Sequence, residues 1–472
     1  MTAPLAAAGP LAPRRLPWLV GAAAAALYLA VPAARYNFDG VACAIAVDLG
    51  DLRHLVHGNH LGYGILGYGW FSLWKLAGYQ GPALYALQAL SSLLGAAAAG
   101  VLARLLMGLG LRPATAATAA LGLAVSEFYW TWSLEAQVYP LGALFLALTA
   151  AEAFRERPRP VLLGLFHAGA MLGHVGHVMF APAVAWLLWK RPKDVLAWAA
   201  SAAAALLAAY AAAALFCVKP ASYEDARVWL LGSAALTLDK HFLWHGGWTW
   251  ANLAGWLFTS TRMWGAGTLG AAAGWGLAAL GARTAAPGPR RRAALACVIG
   301  LFGYALLFMS WEPRTPVYRV SDFILLWVLI ALGVDAWPGR ETVKRALPAA
   351  AVVALGAWNL VAVVLPGGDP GRNVPLRTVL RLAAAWPENA WVVAGGQYQV
   401  YIPYFAHRRP IDARYYEGRP EALAARLAAL SAAGEPVFVM PGTLTPEWRQ
   451  RLGALAHDAV DDSGELWRLK RR

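Results

Sequence analysis

Apolar residues fall into eleven runs along the chain, at 17–34, 81–103, 113–131, 136–154, 160–174, 176–189, 195–217, 252–282, 293–311, 321–337 and 347–366. A helix needs about 20 mostly apolar residues to cross a bilayer, because hydrocarbon offers its backbone groups no partner outside the helix. The runs therefore predict about 11 transmembrane helices. Two of them, 160–174 and 176–189, are short enough to be one long helix instead, and the basic residues between runs decide the matter. With the N-terminus cytoplasmic and this pair read as two helices, six basic groups all lie inside: Arg14/Arg15, Arg104/Arg112, Arg155/Arg157/Arg159, Lys190/Arg191/Lys193, Arg283/Arg290/Arg291/Arg292 and Arg340/Lys344/Arg345. That is the bias short cytoplasmic loops show. A single long helix would send Lys190, Arg191 and Lys193 outside and invert everything after them. An odd number of spans then puts the C-terminus outside.

Three segments remain for the outer face. The first, 35–80, carries Asp39, Asp48, Asp51, His54, His57 and His60, followed by HLGYGILGYGWFSLWKLAG, whose aromatic and glycine content suits a piece lying on or dipping into the interface. The second, 218–251, has Trp229, Trp244, Trp248 and Trp250 and reads as an interfacial loop with one amphipathic helix. The third is the tail from about residue 370, where AWVVAG and PVFVMPG are strand-like and RPEALAARLAALSAAG is an amphipathic helix ended by glycine. The expected architecture is thus an α-helical polytopic membrane domain over 1–369 and a small extracytoplasmic α/β domain over 370–472.

Composition agrees with a multi-pass membrane protein: 59% of residues are hydrophobic and 14% charged, against roughly a quarter charged in soluble chains, and mean hydropathy is +0.47. The formal charge, 40 Lys and Arg less 26 Asp and Glu, is +14. In a soluble protein that excess would suggest nucleic acid, but here the basic residues punctuate apolar runs as topology signals, which excludes nucleic acid as a partner. Cys43, Cys217 and Cys297 show no CxxC spacing, which removes a disulfide framework and a zinc knuckle together. The first apolar run, behind Arg14 and Arg15, reads as a retained span that also targets the chain, in preference to a cleaved signal.

Asp39 is the leading candidate for chemistry, since it follows the first span directly in RYNFDG. A carboxylate there can accept a proton from an incoming hydroxyl, or hold a divalent metal such as Mg or Mn, while facing a lipid-borne substrate. An Asp before a helix-compatible run is also a common N-cap. Asp48 and Asp51, with His54, His57 and His60 continuing the three-residue spacing, form either a metal site or the solvated face of an amphipathic helix lying on the membrane. Glu127 and Glu135, flanking FYWTWSL, and His174 with His177 all fall at the outer end, where one cavity could collect them. Arg262, and Arg314 and Arg319 in WEPRTPVYR, suit either the grip of a lipid phosphate or pyrophosphate, or snorkelling to the interface.

With these residues in place the chain resembles the polytopic GT-C glycosyltransferases, and among them the bacterial branch similar to protein O-mannosyltransferases. That pattern is an Asp soon after the first span, a His-Pro-Pro-Gly-Tyr-Pro-like turn, a Glu-Val-Tyr-Ser-Leu-like stretch and a later histidine before a proline. Here it is matched by Asp39, by His60-Leu61-Gly62-Tyr63-Gly64, by Glu135-Ala136-Gln137-Val138-Tyr139-Pro140-Leu141, and by His177 with Pro182. Order and spacing agree over about the first 190 residues, and AWVVAGGQYQVYIPYFAHRRPIDARYY resembles the outer domain of the same branch. Gly40 and Val41 stand where the group often has a second acidic residue, and the prolines after His60 are absent.

The resemblance implies a glycosyltransferase, hexosyl or pentosyl, in the inner (cytoplasmic) membrane. It would move a sugar with inversion from a polyprenyl-phosphate-linked donor to a hydroxyl of a protein, lipid or glycan acceptor on the outer face, among membrane lipids. Asp39 would be the general base, with His60, Tyr63, Glu135, Tyr139 and His177 lining the cavity and Arg262, Arg314 and Arg319 steadying the phosphate. No P-loop is present, which argues against a soluble nucleotide-sugar donor. A polysaccharide polymerase or ligase would carry its key residues in a large late loop, and a lipid-linked sugar transporter would show two related halves with broken helices; neither pattern is visible.

Overall fold

A computed structural model describes residues 12–231, 249–416, 419–453, 455, 457–460 and 465–470. Trp244 and Trp248 of the second outer segment lie outside them. The chain divides into two compact units, Met1–Ala33 with Ala46–Gly368, and Ala34–Ile45 with Asp369–Arg472.

The first unit is helical. Its apolar runs become α1 (Ala12–Ala30), the end of α2 (Phe38–Leu49), α3 (Leu52–Leu55), α4 (Leu61–Leu76), α5 (Ala83–Gly108), α6 (Pro113–Val125), α7 (Glu127–Ser133), α8 (Tyr139–Ala153) and α9 (Pro160–Gly173). They continue as α10 (Ala181–Leu188), α11 (Pro192–Ala212), α12 (Tyr223–Leu231), α13 (Trp250–Arg262), α14 (Gly267–Thr284), α15 (Pro289–Ser310), α16 (Val320–Ala336) and α17 (Glu341–Asn359). Among the described residues, five helices are long and apolar enough to cross a membrane: Ala83–Gly108, Pro192–Val218, Pro289–Ser310, Pro316–Ala336 and Glu341–Gly367.

The run from 160 to 189 does fold as two pieces. His174 is extended (φ −161°, ψ 125°), and the His167 ring nitrogen Nε2 lies 3.0 Å from the His177 carbonyl oxygen. Ten residues of continuous helix would hold those positions about 15 Å apart. The basic loops also share one end of the unit. Arg112 and Arg290 both pair with Asp335, at 3.2 and 2.8 Å, and Arg112 also pairs with Glu341. Arg292 donates to Leu187 O at 3.1 Å, and Arg104, Arg155 and Arg159 line one cavity.

Two runs expected to be single helices are broken. The run 113–131 stops at Ser126, whose backbone is extended, and 252–282 is interrupted at 263–266, where Gly265 and Ala266 have φ of 87° and 54°. Backbone groups freed by a broken helix in an apolar interior must find new partners, and these two breaks supply each other. Glu127 N donates to Trp264 O at 3.2 Å and Phe128 N to Met263 O at 3.1 Å. Asn359, fully buried, gives its amide to Val125 O and Trp264 O, each at 2.8 Å. Asn359→Leu takes the amide donor from Val125 O and leaves Trp264 O with Glu127 N alone, and a buried group left without its partner costs about 1–3 kcal/mol. The variant is therefore expected to lower the unfolding midpoint in detergent by several degrees; an unchanged midpoint would mean that the two breaks hold without it.

Small residues let α14 and α16 approach closely. A Cβ on Gly281 would collide with Leu329 O, and one on Gly333 with Leu277 O.

In the second unit the expected strands and helix appear: β1 (Trp391–Ala394), β3 (Val437–Val439) and the helix Pro420–Ala432. Beside them are β2 (Arg409–Asp412), β4 (His457–Ala459) and β5 (Trp467–Leu469). The sheet order is β2-β1-β3-β5-β4, with β1 parallel to β2 and β3, and β5 antiparallel to β3 and β4. β1 lies between β2 and β3, Val392, Val393 and Ala394 are buried, and its apolar run reads as that of a parallel strand covered on both faces. Val393, Ile411, Leu423, Leu427, Val439 and Trp448 form much of the core. The remaining helices used below are α18 (Val374–Ala383) and α19 (Tyr398–Ala406). Asn373 caps α18 by accepting from Leu376 N at 3.0 Å, and α18 buries Leu376, Val379 and Leu382 on one face.

Candidate functional site

After α1 the chain runs without regular structure to Asn37, whose side-chain oxygen accepts the backbone N–H groups of Asp39 (2.9 Å) and Gly40 (3.3 Å). Asn37 therefore performs the N-cap role considered for Asp39, and Asp39 sits in the first turn of α2 as an exposed residue. A negative side chain suits that position, because the unpaired N–H groups of a helix start favour it.

The ladder from Asp48 to His60 does not form one helical face. Gly50 (φ 64°) ends α2, a single turn follows, and His57 and His60 face each other across a bridge before α4 begins. Asp48 accepts Ala83 N with both carboxylate oxygens, at 3.0 and 3.3 Å, at the start of α5. Asp51 caps α3 through Arg53 N and His54 N, and its other oxygen lies 2.7 Å from His54 Nδ1; the hydrogen bond with His54 keeps the Asp51 carboxyl below its usual pKa. The two carboxylates thus serve different helix starts, and among the described residues no three His, Cys, Asp or Glu side chains converge as a metal cage.

In the first unit the other predicted residues gather around two chain breaks. His57 and His60 stack at 4.4 Å, and Val175 N donates to Asn59 O at 2.8 Å, which ties their turn to the break at His174. His174 lies 5.2 Å from the Tyr139 ring and 5.7 Å from Tyr318, and Tyr318 stacks on Phe308 at 5.4 Å. The His177 ring nitrogen Nδ1 meets Tyr304 Oη at 2.7 Å, and Glu135 is buried. The Tyr63 hydroxyl reaches Leu87 O (3.1 Å) and Ser91 Oγ (2.7 Å), and Ser91 also bonds the backbone of Gln137.

Packing around the His60 ring, with His57 and His174 as neighbours, pushes its pKa down to about 3, and burial lowers that of His57 as well. A folded-state pKa below the ordinary 6.5 means that the unfolded chain binds the extra proton first, so stability falls as pH drops from about 6.5 toward 3. His60→Gln is expected to flatten this acid-side loss when the unfolding midpoint is followed from pH 7.5 to 5. A variant as pH-sensitive as the parent would show that His60 is not its source.

The three arginines part company. Arg262, at the end of α13, is exposed and stacks over Phe258 at 5.7 Å. Arg314 is also exposed, with its stem against Gly255 of α13. Arg319 is buried, donating to Asp322 Oδ2 (2.6 Å) and Ser260 Oγ (2.6 Å), with its guanidinium 4.7 Å over Trp256. Its charge is paired inside the unit, whereas Arg262 and Arg314 are exposed.

Sequence reasoning passed over Tyr304, Tyr318 and Asp322 in the first unit, and Asn373, Gln397 and Tyr401 in the second. Tyr318 stands within WEPRTPVYR, and Asp322 three residues after Arg319 is the spacing of a helical ion pair.

No protein-family model matches this sequence, and no curated protein matches it. Solved structures do. ArnT from Cupriavidus metallidurans bound to undecaprenyl phosphate aligns with a TM-score of 0.65 at 12% identity, over 96% of this chain and 97% of that one. Its apo state aligns at 0.61 and 14% identity over the same shares. The chain therefore has the fold of ArnT along nearly its whole length. The mycobacterial arabinofuranosyltransferase AftD aligns at 0.49 and 17% identity, over 92% of this chain and 35% of that one.

Proposed function

We propose that this protein is a membrane glycosyltransferase that moves a sugar from a polyprenyl-phosphate donor to an acceptor hydroxyl at the outer face of the cytoplasmic membrane, with inversion. The observation that carries the reading is the placement of Asp39, exposed in the first turn of the helix after the first apolar helix, in a chain with the ArnT fold over 96% of its length.

In this reading Asp39 accepts the proton of the acceptor hydroxyl, whose oxygen attacks the anomeric carbon from the side opposite the phosphate. The carbon–oxygen bond to phosphate breaks, and polyprenyl phosphate leaves with the electron pair. Arg262 and Arg314 are assigned to the growing negative charge on that leaving group, since a guanidinium presents paired donors to phosphate oxygens. Tyr139, His174, His177 and Tyr318 are assigned to the sugar, and Asp48 and Asp51 to helix capping. An apolar cavity of about 410 Å³, lined among others by Ala119, Gly274, Leu277, Trp327, Ile330 and Val352, offers isoprenoid carbons a surface of their own kind.

The test is release of labelled sugar from polyprenyl-phosphate mannose, glucose and arabinose pools in membranes containing the protein. Transfer from one pool, lost in Asp39 variants, supports the reading; no transfer from any of them overturns it.

A further inference from the structure

Resting on that reading, we infer that the C-terminal α/β domain holds Asp39 in place, and that Asn373, Gln397 and Tyr401 are positioning residues for the transfer. Residues 34–45 belong to the same compact unit as 369–472, so the carboxylate is carried by the domain's own fold.

The hold is made on backbone carbonyls. Asn373 Nδ2 donates to Ala34 O (2.8 Å) and Arg35 O (3.0 Å), and Gln397 Nε2 donates to Tyr36 O (2.8 Å). The buried Tyr401 hydroxyl is the hub, 2.8 Å from Arg35 O and 2.6 Å from Tyr36 O, and it accepts from both Asn373 Nδ2 and Gln397 Nε2 at 2.9 Å. Gln397 lies just beyond the carboxyl end of β1, and Tyr401 on the helix that follows. In open sheets with parallel strands this edge is where a ligand ordinarily binds. Here the edge takes the chain's own segment, and the Tyr36 ring packs on Phe405 at 5.5 Å.

Backbone conformation connects the clamp to the carboxylate. Tyr36 has φ 45°, a left-handed conformation that a bulky side chain keeps only where its surroundings over-determine it. The clamp grips the carbonyls on either side of that bend. The next residue, Asn37, caps α2, and Asp39 is two further on. Loosening Tyr401 lets Tyr36 return to ordinary backbone geometry, which turns Asn37 and swings Asp39. A misplacement of about 1 Å at a reacting group is worth roughly 10²-fold in rate.

Tyr401→Phe removes the hub hydroxyl and keeps the ring. It is expected to lower kcat for sugar transfer by about 10- to 100-fold while KM for the lipid donor stays within about twofold, because uniform binding is untouched. Gln397→Leu, on the loop, should act in the same direction and serves where Tyr401→Phe folds poorly. A second readout does not depend on turnover. With Cys43, Cys217 and Cys297 replaced by alanine and Asp39→Cys introduced, the rate of modification by a membrane-impermeant maleimide reports the order of the loop. Adding Tyr401→Phe or Gln397→Leu is expected to raise that rate severalfold. Unchanged kcat together with unchanged thiol reactivity overturns the inference. Raised thiol reactivity in a protein whose parent transfers no sugar from any donor upholds the clamp and overturns the glycosyltransferase reading instead.

Discussion

Asp39→Asn is expected to lower sugar transfer from the lipid donor by about 10²- to 10⁴-fold, the range that loss of a general base costs, with the amount of folded protein in the membrane unchanged. The fold has little reason to respond. Asn37, not Asp39, caps α2, and Asp39 is exposed. An amide keeps the shape of the side chain and loses its ability to take a proton. Because Gly40 follows, the asparagine variant can hydrolyse back to aspartate, so Asp39→Ala is measured beside it. The assay is release of labelled sugar at matched expression, with kcat and KM separated. A fall in kcat with KM unchanged is the expected signature. Full activity in Asp39→Ala would remove this carboxylate from the mechanism.

Much of the helical framework was legible in the sequence because apolar run length is a local property. The turn between 160–174 and 176–189 could be read because charge asymmetry between loops added a second constraint, and the contact between His167 and His177 marks where the chain folds back. The breaks at Ser126 and 263–266 lay hidden inside apolar runs, since what stabilises them is mutual backbone pairing between distant segments. One local signal was available: Asn359, a lone amide within the apolar run 347–366, is the residue that bridges them.

The region from Asp48 to His60 shows the opposite failure. Its three-residue spacing imitates a helical face, yet Gly50 turns the chain with φ 64° and the carboxylates cap two separate helices. Asp39 itself stood out from RYNFDG, but the choice between Asn37 and Asp39 as cap rests on backbone geometry, which residue type alone does not specify. The clamp was invisible for a simpler reason. Asn373 and Ala34 are 339 residues apart, and no periodicity connects them.

Arg319 and Asp322 support the second large effect. Their side chains are 1% and 2% exposed, and each is the other's charge partner within one helical turn. Arg319→Met leaves a carboxylate buried without compensation, which costs about 3–5 kcal/mol, while replacing both charges by apolar groups of similar volume is commonly neutral or stabilising. The expected result is therefore a large drop in unfolding midpoint for Arg319→Met and for Asp322→Leu singly, and recovery close to the parent in the double variant. Folded fraction in detergent after stepwise heating reads this directly. The pattern also separates the two roles open to Arg319, because a phosphate ligand would behave differently: Arg319→Met would then keep its midpoint and raise KM for the lipid donor, and adding Asp322→Leu would not rescue it. Recovery in the double variant assigns Arg319 to the frame of the bundle and leaves Arg262 and Arg314 as the arginines available to a phosphate.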